Sequence, residues 1–256
     1  MSINACAAMV ETGDPDRFLA AMAAPPDMRE GLFVLSALNL EVAKAPFVTQ
    51  EAMIAEMRLQ FWRDVVADAV AGKPVRAHEV AGPLATLIRA RDLDAEMLDQ
   101  MIAARRYDIY PQDRGQSGLD LDQYLHRTGG HLMALSAAAC GMPRDLLPAA
   151  QDVGAAMGTA QWLRALPDLM RHGQVAEANL DSDALVARAQ AALAMLQKRR
   201  GTGFGPAVPA LRAAWLTPWV LRQVIADPRR AIDGALTPSE FRRRGGLLWR
   251  AALNRW

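Results

Sequence analysis

The chain has 256 residues, 52% of them hydrophobic, with 29 lysines and arginines against 28 aspartates and glutamates and a net charge of +1. That length can bury a sizeable core, and that composition excludes a disordered chain. Near-neutrality excludes a global field steering the molecule to polyanions, so no nucleic-acid partner is expected.

Helix formers (Ala, Leu, Arg, Met, Glu) dominate, and no alternating strand or hairpin signal occurs. The start, Met1-Ser-Ile-Asn-Ala-Cys6, carries neither the charged nor the apolar region of an export signal. Asp14-Pro-Asp16 is read as opening the first helix, and Ala24-Pro-Pro-Asp27 as breaking and recapping it. Thr49-Gln-Glu-Ala52 starts a long helix to about Ala71, stopped by Gly72-Lys-Pro74. On that helix Ile54, Met57, Phe61 and Val65 share a face, with Trp62 and Val66 beside it. Apolar character around so much of the circumference predicts a core position. Glu56, Gln60 and Arg63 share another face.

Further joints fall at Gly82-Pro83, Tyr110-Pro111, Gly141-Met-Pro143, Pro148 and Gly201-Thr-Gly-Phe-Gly-Pro206. The last lacks the strand and the Gly-Lys-Ser/Thr of a phosphate loop and is read as a connection. The polar stretch from Arg171 to Asp183 is read as a mobile loop. This punctuation predicts about eight to ten helices in one all-α domain spanning residues 1–256. No apolar run reaches the ~20 residues that span a bilayer.

Titratable clusters are weak. Cys6 and Cys140 are too few for a disulfide framework or a zinc site and are read as reduced thiols of a cytoplasmic protein. His126 and His131, five apart, do not share a helix face. Acidic pairs at four-residue spacing (Asp64/Asp68, Asp92/Glu96, Glu177/Asp181) are the number chance supplies among 28 carboxylates. The segment Glu240 to Trp256 is basic and tryptophan-bearing, and Trp215 to Trp219 adds a second aromatic-rich patch. The segment fits a last helix docked on the bundle, or a contact with an anionic membrane or partner helix.

The runs Arg29-Glu-Gly-Leu-Phe33-Val-Leu-Ser-Ala-Leu-Asn39-Leu-Glu41-Val-Ala43 and Glu56-Met-Arg58-Leu-Gln60-Phe-Trp-Arg63-Asp64 resemble the squalene/phytoene synthase family. More narrowly, they resemble the branch holding the family's mitochondrial complex I assembly factor and its alphaproteobacterial-type relatives. Supporting segments are Arg106-Tyr-Asp108, Tyr124 to Gly130, Gly154 to Arg164 and Leu247 to Leu253. The resemblance implies the fold of class I isoprenoid synthases, helices around a central cavity.

It also implies where magnesium-binding carboxylates stand in the catalytic members. Ionising an allylic diphosphate calls for divalent metal and hard oxygen ligands. Here the first place holds Asn39, Glu41, Ala43 and Lys44, and the second reads Ala165-Leu-Pro-Asp168-Leu169, with Asp168 one place off. Asn39, Glu41, Glu56, Arg58, Gln60, Arg63, Arg164 and Asp168 are therefore candidate remnant-cavity residues, with no catalytic residue, metal or cofactor expected. The function implied is a non-catalytic assembly factor for respiratory complex I, with a complex I subunit or intermediate as partner. Its place would be the cytoplasm, peripheral to the inner membrane. The alternative is a prenyl- or lipid-binding protein, or a head-to-head prenyl transferase, with Arg58, Arg63 and Arg164 on the diphosphate.

Overall fold

The computed structural model describes residues 3–49, 51–114 and 119–256, and among these every regular element is helical. Met1 and Ser2, part of the start read as carrying no export signal, and Gln50 of the expected start of the long helix lie outside the described residues. In chain order the helices are α1 (Ile3–Gly13), α2 (Pro15–Met22), α3 (Pro26–Lys44), α4 (Ala52–Val70), α5 (Ala81–Arg91), α6 (Ala95–Ala103), α7 (Arg106–Ile109) and α8 (Leu121–Leu125). There follow α9 (His131–Ala139), α10 (Leu147–Arg171), α11 (Ser182–Arg199), α12 (Val208–Leu211), α13 (Thr217–Ala226), α14 (Arg229–Ile232) and α15 (Glu240–Ala252).

The count exceeds the eight to ten expected because several Pro- and Gly-marked joints carry one helical turn of their own, as at α7, α12 and α14. A second correction is at the start. Asp14-Pro-Asp16 opens α2, not the first helix, since α1 already precedes it. The Asp14 side chain caps α2 by accepting from Arg17 N at 2.9 Å. Pro26 opens α3 without a side-chain cap. Gly82-Pro83 and Pro148 fall inside the first turns of α5 and α10 rather than between helices. That position is one where a missing N–H is harmless. Gly141 does break the chain, at φ +88° between α9 and α10.

The 25-residue α10 is the central rod, packed by α8, α9, α11, α13 and α14. Its buried stripe from Ala149 to Leu166 is mostly alanine and glycine, and small side chains let neighbouring backbones approach. Helix α9 is buried almost all round and α3 along its middle, from Gly31 to Leu38. Both cysteines are buried and free, and burial pushes each thiol up to about 11.

Helix α4 departs from the core position expected. It buries Ala55, Leu59, Trp62, Val65, Val66 and Ala69 against α5 and α6, so of the face expected to be buried Val65 is covered and Phe61 half-buried. Met53, Ile54 and Met57 face outward, Met53 at 76% exposure and Met57 at 67%. Among the described residues nothing covers Met53, Ile54 and Met57.

Candidate functional site

Between α3, the turn after α6, α8 and α10 lies a cavity of about 220 Å³. Its walls follow from helical geometry. On α3 the residues facing it are Asn39 and Ala43, one turn apart, and on α10 they are Gly158, Gln161, Trp162, Ala165 and Leu169. Glu41, two residues from Asn39, stands about 200° round the helix.

The α8 side is built by an irregular turn. Residues His126–Gly130 form a π-helical turn that joins α8 to α9. Within it Gly129 and Gly130 run against α10 at Gly154 and Gly158, and neither of the two has room for a side chain. A Cβ on Gly129 would meet Gly154 O at 2.7 Å, and one on Gly130 would meet Gln151 O at 3.1 Å. This close crossing sets the depth of the cavity floor. His131, just past the turn, is buried, and its Nδ1 lies 3.2 Å from Met97 O. Burial, with the neighbouring His126, lowers its pKa from 6.5 to about 4.

That value has a measurable consequence. As pH falls, the unfolded chain takes up the His131 proton first, so stability should be lost between pH 6.5 and 4. The loss is roughly 3 kcal/mol if the full shift is realised. Denaturant melts across that range should show the slope, and His131→Gln should flatten it. Parallel slopes for the two proteins would contradict this assignment.

One polar network lines the cavity. Arg105 donates from Nη2 to Asn39 Oδ1 at 3.0 Å and from Nη1 to Tyr124 Oη at 2.7 Å. Tyr124 donates in turn to Asp108 Oδ2 at 2.7 Å. Asp108 is buried, with Arg105 at 3.6 Å and Arg114 at 4.0 Å. Burial raises its carboxyl above the usual range, against the pull of Arg105, Tyr124 and Arg114. Burial likewise pushes the Tyr124 phenol up, and that of Tyr107, which stacks on Tyr124 at 4.6 Å.

Arg114 lies over the Tyr107 ring at 4.3 Å and donates to the backbone and side-chain oxygens of Gln174 at 2.5 and 2.6 Å. Gln174 donates to Asp108 O at 3.0 Å. The segment read as a mobile loop is thus tied across the cavity rim at Gln174. Arg17 completes the lining and is paired with Asp14 at 2.9 Å.

Of the residues singled out in the sequence, Asn39 lines this cavity and the rest stand outside its lining. Arg63 makes a bidentate pair with Asp99 at 2.6 and 3.1 Å, joining α4 to α6. Glu56 accepts from Arg106 at 2.8 and 2.9 Å, joining α4 to α7. Gln60 bonds Asp64 on its own helix at 2.7 Å, and Arg58 is exposed. Arg164 pairs with Asp16 at 3.1 Å, Asp168 is exposed and pairs with Arg171, and Glu41 is half-buried. The cavity's own guanidiniums, Arg17, Arg105 and Arg114, were not singled out, nor were Asp108, Tyr124 and Gln161. Asp108 and Tyr124 lie inside segments quoted for the resemblance, but adjacent arginines such as Arg105 and Arg106 cannot be told apart in the sequence.

The lining does not fit the magnesium cluster that the fold implies. Asp108 is its one carboxylate among the described residues, already held by a phenol and two guanidiniums. Asn39, Ala43, Gln161 and Ala165 offer two neutral amides and two methyl groups where hard anionic oxygens are needed. Among the described residues no group of three or more His, Cys, Asp or Glu side chains is arranged to hold a metal.

An all-α fold around a cationic, apolar-walled cavity defines a class, and comparison with known proteins gives the family. Residues 10–176 match the family model for squalene/phytoene synthase, and the chain belongs to that family. It is similar to the NADH dehydrogenase (ubiquinone) complex I, assembly factor 6 homolog of Drosophila melanogaster, 30% identical over 169 residues. That match covers 63% of this chain and 50% of the relative. The human assembly factor 6 is 27% identical over 165 residues, covering 63% and 48%. The chain therefore spans about half the length of the curated relatives it matches.

Among solved structures, a dehydrosqualene synthase in complex with ligand superposes with a TM-score of 0.76 at 16% identity, over 98% of this chain and 95% of that one. Squalene synthase HpnC from Alicyclobacillus acidocaldarius gives 0.58 at 15% identity, over 98% and 94%. These two likenesses establish the all-α isoprenoid synthase fold.

Proposed function

We propose that this protein is a non-catalytic member of its family that assists assembly of respiratory complex I. It works in the cytoplasm, against the inner face of a bacterial membrane, by binding a complex I subunit or assembly intermediate. The observation that carries the reading is the pair of facing helix walls, Asn39 and Ala43 opposite Gln161 and Ala165, which hold no carboxylate. The names of the relatives supply the process. The outward row Met53, Ile54 and Met57 on α4 supports a protein partner, since such an uncovered apolar strip is rare on a chain that works alone.

Deletion in the native host, followed by complex I activity and assembly on native gels, tests this. Loss of assembled complex, restored by the wild-type gene and by an Asn39→Ala variant, is expected. Normal assembly in the deletion strain would reject the proposal.

A second reading is favoured by the three cavity guanidiniums above an apolar floor, which suit a prenyl diphosphate or lipid anion. Incubation with farnesyl diphosphate and magnesium separates the two. Binding without diphosphate release makes the protein a carrier, turnover makes it an enzyme, and neither removes this reading.

A further inference from the structure

The C-terminal part of the molecule holds a second concave site, unconnected with the cavity described above. It is a recess of about 490 Å³ between the ends of α11 and α15 and the segment before α13. Three guanidiniums, Arg200, Arg250 and Arg255, and three indoles, Trp215, Trp249 and Trp256, contribute to its wall.

The frame is fixed. Trp215 is buried and donates from Nε1 to Arg243 O at 3.2 Å, which seats α15. Arg243 reaches Asp16 at 2.5 Å from the same side. Trp256 packs edge-on to the buried Phe204 at 5.5 Å.

The charges in this frame are unbalanced. Of the neighbouring arginines, Arg199 is neutralised by Asp152, Arg243 by Asp16 and Arg244 by Glu240, while the buried Arg212 is held by the neutral oxygens of Ala23, Asn254 and Arg255. Among the described residues no carboxylate lies within 4 Å of Arg200, Arg250 or Arg255. Arg250 donates to Gly246 O of its own helix and is half-buried. Burial, and then the positive charge of Arg200, makes its protonated form harder to hold. Like charges gathered at one recess without a counter-ion are stabilised by an anion supplied from outside.

The flank of the recess says which anion. Phe241, Leu248 and Trp249, at i, i+7 and i+8, share one face of α15 and are 89%, 70% and 66% exposed. Leu247, on the other side, is the residue that docks the helix. A helix held to its own protein by one edge, with arginines on its flanks and bulky apolar groups outward, is built to lie in a lipid headgroup layer. A free phosphate in water would leave Phe241 and Leu248 unexplained.

We propose that the Arg200–Arg250–Arg255 recess binds the phosphate of an anionic phospholipid while Phe241, Leu248 and Trp249 enter the surrounding interface. This deepens the membrane part of the reading above and rests on that part alone. The test below contains no respiratory complex, so its failure and that of the deletion experiment are distinguishable.

The full protein is floated with phosphatidylglycerol/phosphatidylcholine vesicles and with phosphatidylcholine alone. It should bind the anionic vesicles, and Arg200→Gln with Arg255→Gln should weaken binding about thirtyfold, each surface arginine being worth about 1 kcal/mol at such a membrane. Phe241→Ser with Leu248→Ser should weaken it comparably. All four positions are exposed, and circular dichroism with a melting curve confirms that the variants fold. Equal binding to neutral vesicles, no binding to anionic ones, or arginine variants that behave as wild type would overturn the proposal. Tight binding of inorganic phosphate, followed by tryptophan fluorescence, without vesicle affinity would overturn the lipid assignment.

Discussion

Gly154→Ala is expected to lower the melting temperature by about 6–12 °C, corresponding to about 3 kcal/mol in a chain of this size. The methyl group would sit on Gly129 O, 2.5 Å from Met133 Cβ and 2.9 Å from Gly130 Cα. Two of those three obstacles are backbone, so no rotamer change makes room. The π-helical turn and α10 must separate, and with them the buried stripe on both sides. Overpacking a tight core typically costs about 1–3 kcal/mol, and a crossing with no flexible atoms belongs at the upper end. Gly158→Ala is the control. Its new Cβ would meet nothing closer than Leu125 O at 3.5 Å, and alanine in a helix interior is worth about 0.5–1 kcal/mol over glycine. Equal melting temperatures for the two variants would refute the close-crossing account.

Arg105→Met is expected to destabilise the protein by about 3 kcal/mol at neutral pH, the lower end of what losing one partner of a buried ion pair costs. Asp108 would keep Tyr124 and the more distant Arg114, but the guanidinium linking it to Asn39 would be gone. The pH dependence identifies the mechanism. Burial already raises the Asp108 carboxyl, and removing Arg105 raises it further. A carboxyl raised by folding holds its proton more firmly in the folded state, so stability is gained as pH falls and lost as pH rises. The deficit of the variant should shrink towards about pH 4, the ordinary carboxylate value, and widen above it. Asp108→Asn combined with Arg105→Met should cost less than the sum of the two single changes. Strict additivity, or a deficit independent of pH, would exclude the coupled pair.

Much of the architecture could be read from punctuation. Gly72, Gly141 and the Gly201–Pro206 run end helices where the sequence says they should, because a positive φ or a missing N–H is a local property. The outer faces could not be read this way. Ile54, Met57, Phe61 and Val65 fit a buried stripe by period, yet Ile54 and Met57 are exposed, and the stripe that α4 buries runs through Ala55 and Leu59 to Val65 and Val66. Which of two apolar stripes is covered depends on the neighbours, and periodicity says nothing of them. The cavity was legible on α3, where Asn39 was singled out. It was not legible at Arg17, Arg105 and Arg114, because their roles arise from the meeting of segments far apart in the chain. Arg63 and Glu56, read as cavity candidates, fasten α4 to α6 and α7.

The wide turn at His126–Gly130 governs helical phase. An α-helix advances about 100° per residue, and a π turn accommodates an extra residue within it, so the rod beyond is rotated relative to the rod before. Before this offset Tyr124 points to the cavity. Past it, His131 reaches Met97. An unbroken α-helix would align one of these at the expense of the other. Deleting one residue from the turn would act like a slipped gear tooth, leaving every side chain of α9 chemically unchanged and wrongly aimed.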